Sequence, residues 1–232
     1  MIPLMVGILK LGQHRAHGTS LVALVFTGIS GAVTYTLNGS VDFMAAVFLA
    51  ATAVITARFG AHSAHALAEW KLKRSFGAFL ILVSLLLLLK FSPSDSSGPV
   101  KGGEKAAILL MTGAFTGFLS GMMGVGGGTI MVPVMVLLAG FGQHTAQGSS
   151  LLAMVPAGAA GAYTHWRLGN VAVSLLSGLV PGILLGTYLG GSLAHVLPDG
   201  TLRLIFAAVL LSNGLGYLRT KRPGEKVPGV HT

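Results

Sequence analysis

Apolar residues run through this chain in long unbroken blocks rather than in stripes. Blocks such as residues 106–123 and 168–197 are apolar on every helical face, whereas a surface helix of a soluble domain keeps a polar side. Seven stretches, at residues 18–37, 42–59, 75–91, 106–123, 148–165, 171–195 and 202–218, approach the roughly 20 residues a helix needs to cross a bilayer. In lipid an all-apolar helix is stable because it satisfies its own backbone. Two shorter apolar stretches, residues 2–9 and 129–142, suit short, tilted or re-entrant helices. The pattern predicts an all-α polytopic membrane protein with about seven to nine transmembrane or re-entrant helices.

Composition sharpens this reading. Charged residues make up 9% of the chain, against about 25% in a typical soluble domain, and the mean hydropathy is +0.78. The 34 glycines lie largely within the apolar blocks, where small residues let helices approach closely. There are no cysteines, which excludes disulfides and thiolate metal sites. The net charge of +9 does not indicate nucleic acid, because the basic residues sit between and after the apolar blocks, as orientation signals do. The first nine residues carry no basic stretch ahead of an apolar run, so targeting is expected to reside in the spans themselves.

The segment at residues 92–105 is rich in Ser, Gly, Pro and charge and reads as an exposed linker. The two sides of it match at an offset of 130 residues. Gly12, Gln13, His14, Ala16, Gly18, Ser20 and Leu21 recur as Gly142, Gln143, His144, Ala146, Gly148, Ser150 and Leu151. Gly39, Gly60, His65 and Phe76 recur as Gly169, Gly190, His195 and Phe206. One register held over such a length marks a duplication. The expected organisation is a first membrane repeat at 1–91, a linker at 92–105, a second repeat at 106–219 and a basic tail at 220–232. No counterpart of residues 106–128 precedes Met1, so the sequence is expected to lack the start of its first repeat. If every stretch crosses, Lys90, Lys101, Lys105 and Arg203 fall on one side and the other eleven of the fifteen basic residues on the opposite one. The basic side is expected to be cytoplasmic, with the tail on it and the two halves inverted.

Two elements carry candidate chemistry. Gly124-Val-Gly126-Gly127-Gly128-Thr129 interrupts two apolar stretches, and glycine holds a helix about 1 kcal/mol less well than alanine. A broken helix whose freed N–H groups face a cavity suits an anion. A plain turn between two helices fits the same residues. The second element is Ala146-x-Gly148-Ser149-Ser150-Leu151, repeated as Ala16-x-Gly18-Thr19-Ser20-Leu21, each just after a Pro-containing short stretch marked by Pro133 and Pro3. Hydroxyls at a helix start ordinarily cap it; two such starts facing each other would also form a neutral site for an oxyanion.

Gly-x-Gly-Gly-Gly at Gly124–Gly128, Val132-Pro133 and Ala-x-Gly-Ser-Ser-Leu at Ala146–Leu151 together resemble the sulfite exporter TauE/SafE family of membrane permeases, and the similarity covers nearly the whole chain. The resemblance implies a multi-pass transporter of the inner membrane. Its implied substrates are sulfur-containing anions such as sulfite, sulfoacetate or thiosulfate. Alternating access is the expected mechanism, with an anion channel or a non-transporting partner subunit as alternatives. The expected substrate site comprises Gly126, Gly127, Gly128, Thr129, Gly148, Ser149 and Ser150 from one half and Gly18, Thr19 and Ser20 from the other.

All six acids, among them Asp42, Glu69 and Asp199, fall in or beside loops. Cation transporters usually hold a carboxylate within a span, so the expected substrate is a small anion. His144 and His14 are candidates for proton-linked gating, because imidazole titrates near neutrality. The pairs His14/His17 and His62/His65 lack cysteine or paired acids nearby, so no metal or other cofactor is expected. No nucleophile–base pair or carboxylate dyad stands out, and no enzymatic activity is expected. Gly113, Gly117 and Gly121, like Gly178, Gly182, Gly186 and Gly190, recur at every fourth position. They are expected to pack helices within the molecule, or alternatively between copies in a homo-oligomer.

Overall fold

The structure, a computed structural model, describes residues 5, 10–11, 13–63, 69–89, 102–123 and 126–219. It is all-helical among these residues. The elements are α1 (Gln13–Leu37), α2 (Phe43–Ser63), α3 (Glu69–Leu89), α4 (Gly102–Met123), α5 (Gly128–Leu137), α6 (Gln143–Arg167), α7 (Val173–Val196) and α8 (Asp199–Leu218). The offset seen in the residues reappears in the helices. Gln13, Phe43 and Glu69 begin α1, α2 and α3, and their matches Gln143, Val173 and Asp199 begin α6, α7 and α8.

The matching helices also end alike. Gly39 and Gly169 adopt left-handed conformations at φ +66° and φ +70°, which glycine enters without the penalty a Cβ brings. Behind each turn the chain closes with the same bond: Ser40 N donates to Tyr35 O at 2.8 Å, and Asn170 N donates to His165 O at 2.9 Å. These glycines stop α1 and α6 and redirect the chain into α2 and α7.

Helix α6 sits at the centre, packed on α1, α2 and α5, while α2 packs on α4, α1 on α7, and α3 on α8. Helices α1 and α6 run antiparallel: Gly28 lies against Val155, and Gly18 and Tyr35 lie against His165 and Gly148. A Cβ added at Gly18 would stand 2.1 Å from Asn170 O, and one added at Gly148 would stand 2.2 Å from Ser40 O. No side chain fits there. Helices α3 and α8 are held by Ser84 Oγ, which donates to Ala207 O at 2.8 Å, and by the close approach of Gly77 and Gly214. The fully buried Leu49, Leu80, Met131, Met135 and Leu210 fill the interior. Between helices in lipid, this tight packing replaces the hydrophobic drive that water would supply.

Among the described residues, four helices are long and apolar enough to cross a membrane: α1 from Gly18, α2 as far as Gly60, α7 and α8. Residues 148–165, read from the sequence as a span, lie in α6, which is not among the four; α3 and α4 hold residues 75–89 and 106–123 of the other two stretches. In α6 the reason is its Gly, Ala, Ser and Thr content, which lowers hydropathy while permitting close contact on several sides. Helix α4 begins at Gly102, inside the stretch expected to be linker. Pro133 does not break its helix: it lies within α5, which continues to Leu137. The interruption falls before α5, at Gly126 and Gly127, and one missing N–H donor at Pro133 does not end so heavily buried a segment. Pro3 lies outside the described residues.

Gly113 and Gly117 pack within the molecule as expected, each against the α2 backbone. The row on α7 does not. A Cβ at Gly178, Gly182, Gly186 or Gly190 would meet nothing within 4 Å.

Candidate functional site

The break ahead of α5 exists because Gly126 takes φ +82°, a conformation that a side chain disfavours. Its α-carbon faces Leu24 of α1 and Met154 of α6, so the turn lies deep within the bundle. Gly127 then caps α5 and accepts hydrogen bonds from Ile130 N and Met131 N. A cavity of about 50 Å³ lies beside it. One water needs roughly 10–15 Å³ of such space, so the cavity has room for a few waters or for one small oxyanion.

Both halves of the chain contribute to its wall. Leu21 and Leu24 come from α1 and Arg58 from α2; Thr116 and Ser120 come from α4, Gly127 and Met131 from α5, and Met154, Thr164 and His165 from α6. Among the described residues the polar groups are a guanidinium, three hydroxyls and an imidazole, with no carboxylate. Thr116 Oγ1 is buried and makes no hydrogen bond among the described residues. Buried hydroxyls are almost always satisfied, so this one points to whatever fills the cavity. Arg58 is exposed and lies near the end of the apolar span that α2 forms from Phe43 to Gly60, where a long basic side chain can reach the membrane interface.

Of the residues expected to bind substrate, Gly127 alone lines this cavity. Gly126 forms the turn, and Thr129 Oγ1 donates to Gly126 O at 3.5 Å. Gly128 faces Met154 and Ser150, and Ser150 Oγ donates to Gln147 O at 2.8 Å. Ser20 is buried. Thr19 Oγ1 accepts a hydrogen bond from Ala172 N at 2.9 Å and donates one to Arg15 O at 2.7 Å. Ser149 Oγ accepts from Asp42 N at 2.8 Å.

The two hydroxyl-bearing helix starts do not meet. Because α1 and α6 are antiparallel, Gly18-Thr19 lies at one end of the pair and Gly148-Ser149 at the other. About fifteen residues of helix separate these levels, roughly 22 Å at 1.5 Å per residue. Each start instead meets the loop that follows the opposite helix.

The residue pattern alone does not single out Arg58, Thr116, Ser120, Thr164 or His165. Arg58 does carry a signal, as a basic residue one position before the end of the apolar stretch at residues 42–59, where it resembles a loop charge. Thr116, Ser120 and Thr164 carried none, since hydroxyls scattered through helices are common and only the packing of five helices brings these together.

His144 occupies a second polar cluster. Its Nδ1 pairs with Asp199 Oδ1, and its Nε2–H donates to Ala194 O at 3.0 Å. The His195 ring stands 5.0 Å from it, with the Tyr35 ring edge-on to His195 at 4.5 Å. Asp199 also accepts from Gln143 N and His144 N at 3.2 Å and 3.4 Å, so a carboxylate from α8 caps α6. The His14 side chain lies outside the described residues.

The profile of the family described as Sulfite exporter TauE/SafE matches residues 1–217. Among curated proteins, the chain is 28% identical over 214 residues to "Probable membrane transporter protein YunE" of Bacillus subtilis (strain 168), covering 86% of this chain and 78% of that one. It is 25% identical over 224 residues to "Probable membrane transporter protein YdhB" of the same organism, covering 94% and 89%. A "Probable membrane transporter protein" of Haemophilus influenzae is 32% identical over 121 residues, covering 49% of this chain and 44% of that one. No solved structure matches. With a match over residues 1–217 and a bundle whose apolar helices can span a membrane, the chain belongs to the sulfite exporter TauE/SafE family of membrane transporters.

Proposed function

We propose that this protein carries a small anion across the inner membrane through the cavity beside Gly127, by alternating access. The substrate is a sulfur-containing oxyanion or organosulfonate of the size of sulfite or thiosulfate. Arg58 supplies the attracting charge, and the hydroxyls of Thr116 and Ser120 donate to the substrate oxygens, whereas Thr164 Oγ1 donates to Ala160 O at 3.0 Å. Gly127 brings the start of α5 close, where unpaired N–H groups and the positive end of the helix dipole favour an anion. The observation that carries this reading is the buried Thr116 hydroxyl, which has no hydrogen-bond partner among the described residues, in a cavity that Arg58 lines and that no carboxylate of the described residues enters.

The two halves lie inverted in the membrane, and their relative movement opens the cavity to one side and then the other. Support comes from the antiparallel packing of α1 on α6 and of α3 on α8, each pair joining matching helices. The end carrying Arg15, Arg167 and Arg219 faces the cytoplasm, together with the C-terminal tail. His144, held by Asp199 next to His195, is the group whose protonation accompanies gating.

The experiment is uptake of radiolabelled sulfite and thiosulfate into proteoliposomes containing the chain. Saturable uptake that Arg58→Gln abolishes and Arg58→Lys partly retains is the expected result. Uptake unaffected by Arg58→Gln and by Thr116→Val would remove the cavity from the pathway. Flux of neither anion by the folded chain would remove these substrates.

A further inference from the structure

Two matching residues of the halves meet at the glycine turn: Leu24 of α1 and Met154 of α6, 130 positions apart. A Cβ built on Gly126 would stand 3.0 Å from Leu24 Cδ1 and 3.4 Å from Met154 Cε. One built on Gly128 would stand 3.4 Å from Met154 Sδ. The tips of both side chains therefore reach the turn, one from each half, and both side chains line the cavity beside Gly127. Along α6 the cavity is bordered from His165 and Thr164 at one end, past Gly161 and Gly158, to Met154 at the other. One turn beyond Met154 stands Ser150, which does not line it. Leu24 and Met154 thus bound this end of the cavity.

We infer that Met154, with Leu24 beside it, sets the upper size limit on the anion. The protein then takes compact inorganic sulfur oxyanions and rejects bulkier organosulfonates such as sulfoacetate. This rests on the reading of the cavity as the anion pathway. A space of about 50 Å³ holds roughly three to five waters. Sulfite and thiosulfate are of that size; sulfoacetate carries a carboxymethyl group in addition and exceeds it. The neighbouring walls have no room to give. Gly127 has no side chain to withdraw, and Thr116 and Met131 are each 1% exposed, held in an interior that resists added volume. Met154 is only partly buried, and its unbranched thioether is the kind of side chain that fills an irregular gap. Cutting it back leaves space at the turn, because Gly126 and Gly128 bring no side chains to refill it.

The test measures uptake of radiolabelled sulfite and of radiolabelled sulfoacetate into proteoliposomes containing the full chain. The expected kcat/KM for sulfite exceeds that for sulfoacetate at least several-fold. Met154→Ala should narrow this ratio several-fold by admitting sulfoacetate, and Met154→Leu, nearly equal in volume, should keep it. Leu24→Ala should relax the limit in the same direction, and it serves as the variant where Met154→Ala does not fold. A merely structural Met154 would lower uptake of both anions together. Sulfite uptake with an unchanged ratio in the alanine variants would overturn the inference while leaving the pathway standing. Equal uptake of both anions by the unaltered chain would do the same. Uptake of neither anion by the folded chain would instead overturn the pathway, and this inference with it.

Discussion

Thr19 and Ser149 stand at matching positions of the two halves, and each accepts a hydrogen bond from the backbone of the other half. Ala172 N donates to Thr19 Oγ1 at 2.9 Å, and Asp42 N donates to Ser149 Oγ at 2.8 Å. Ala172 and Asp42 are themselves matching residues, each one position ahead of the next helix. The two hydroxyls thus pin the start of α1 to the start of α7, and the start of α6 to the start of α2.

Ser149→Ala leaves the partly buried N–H of Asp42 without its acceptor and should destabilise the fold by about 1 kcal/mol. Thr19→Val should do the same through Ala172, whereas Thr19→Ser should be tolerated. Thermal unfolding in detergent measures this. An unchanged KM in the surviving protein would mark the two hydroxyls as structural; a KM raised without loss of stability would return them to the substrate site.

Gly18→Ala and Gly148→Ala should each force α1 and α6 apart. The added methyl groups would lie 2.1 Å and 2.2 Å from backbone oxygens that cannot rotate away. Overpacking of this kind costs about 1–3 kcal/mol or more. Gly182→Ala on α7, which has the same composition change but an open surroundings, should leave the isolated chain's unfolding temperature unchanged. Equal effects at all three positions would refute the packing argument.

Arg58→Gln should lower the kcat/KM for a sulfur oxyanion by at least about tenfold, or 1.4 kcal/mol, because the cavity loses its cation. Arg58→Lys should keep part of the activity, since a point charge replaces the planar fork without its geometry. Radiotracer flux into proteoliposomes provides the measurement. Thr116→Val, nearly the same size without the donor, should raise KM more than it lowers stability, because its hydroxyl has no protein partner among the described residues.

Asp199→Ala should loosen the start of α6 by about 0.5–2 kcal/mol, the usual cost of losing a helix cap. The carboxylate receives both Gln143 N and His144 N, and it also pairs with the His144 ring. Asp199→Asn retains an acceptor oxygen and should lose less. Hydrogen exchange at residues 143–146 would locate the change, which should not spread to α3.

Much of the helical layout is legible in the residues because a membrane helix announces itself by length and apolarity. The Gly39 and Gly169 turns follow from the same chemistry, as glycine alone enters the left-handed region freely. The site was less legible. Gly127 was found through the glycine run, yet Thr19 and Ser149, chosen because their motif repeats, face the opposite half's backbone instead of a shared cavity. A motif present twice indicates two equivalent places, and antiparallel packing set those places at opposite ends. Arg58 and Thr116 come from helices remote in sequence, and no local pattern joins them.

By itself the sequence determined the membrane environment, the all-helical class, the duplication at an offset of 130 residues and the break before α5. Each of these depends on composition or on residues near one another along the chain. Only the tertiary structure decided that α1 and α6 cross antiparallel, that Gly113 and Gly117 are covered while the α7 row is bare, and that Arg58 and Thr116 border one cavity. Those outcomes depend on how helix faces fit together. Backbone approach at a glycine is a property of two helices at once, and an apolar face reads the same in sequence whether it meets lipid or another helix.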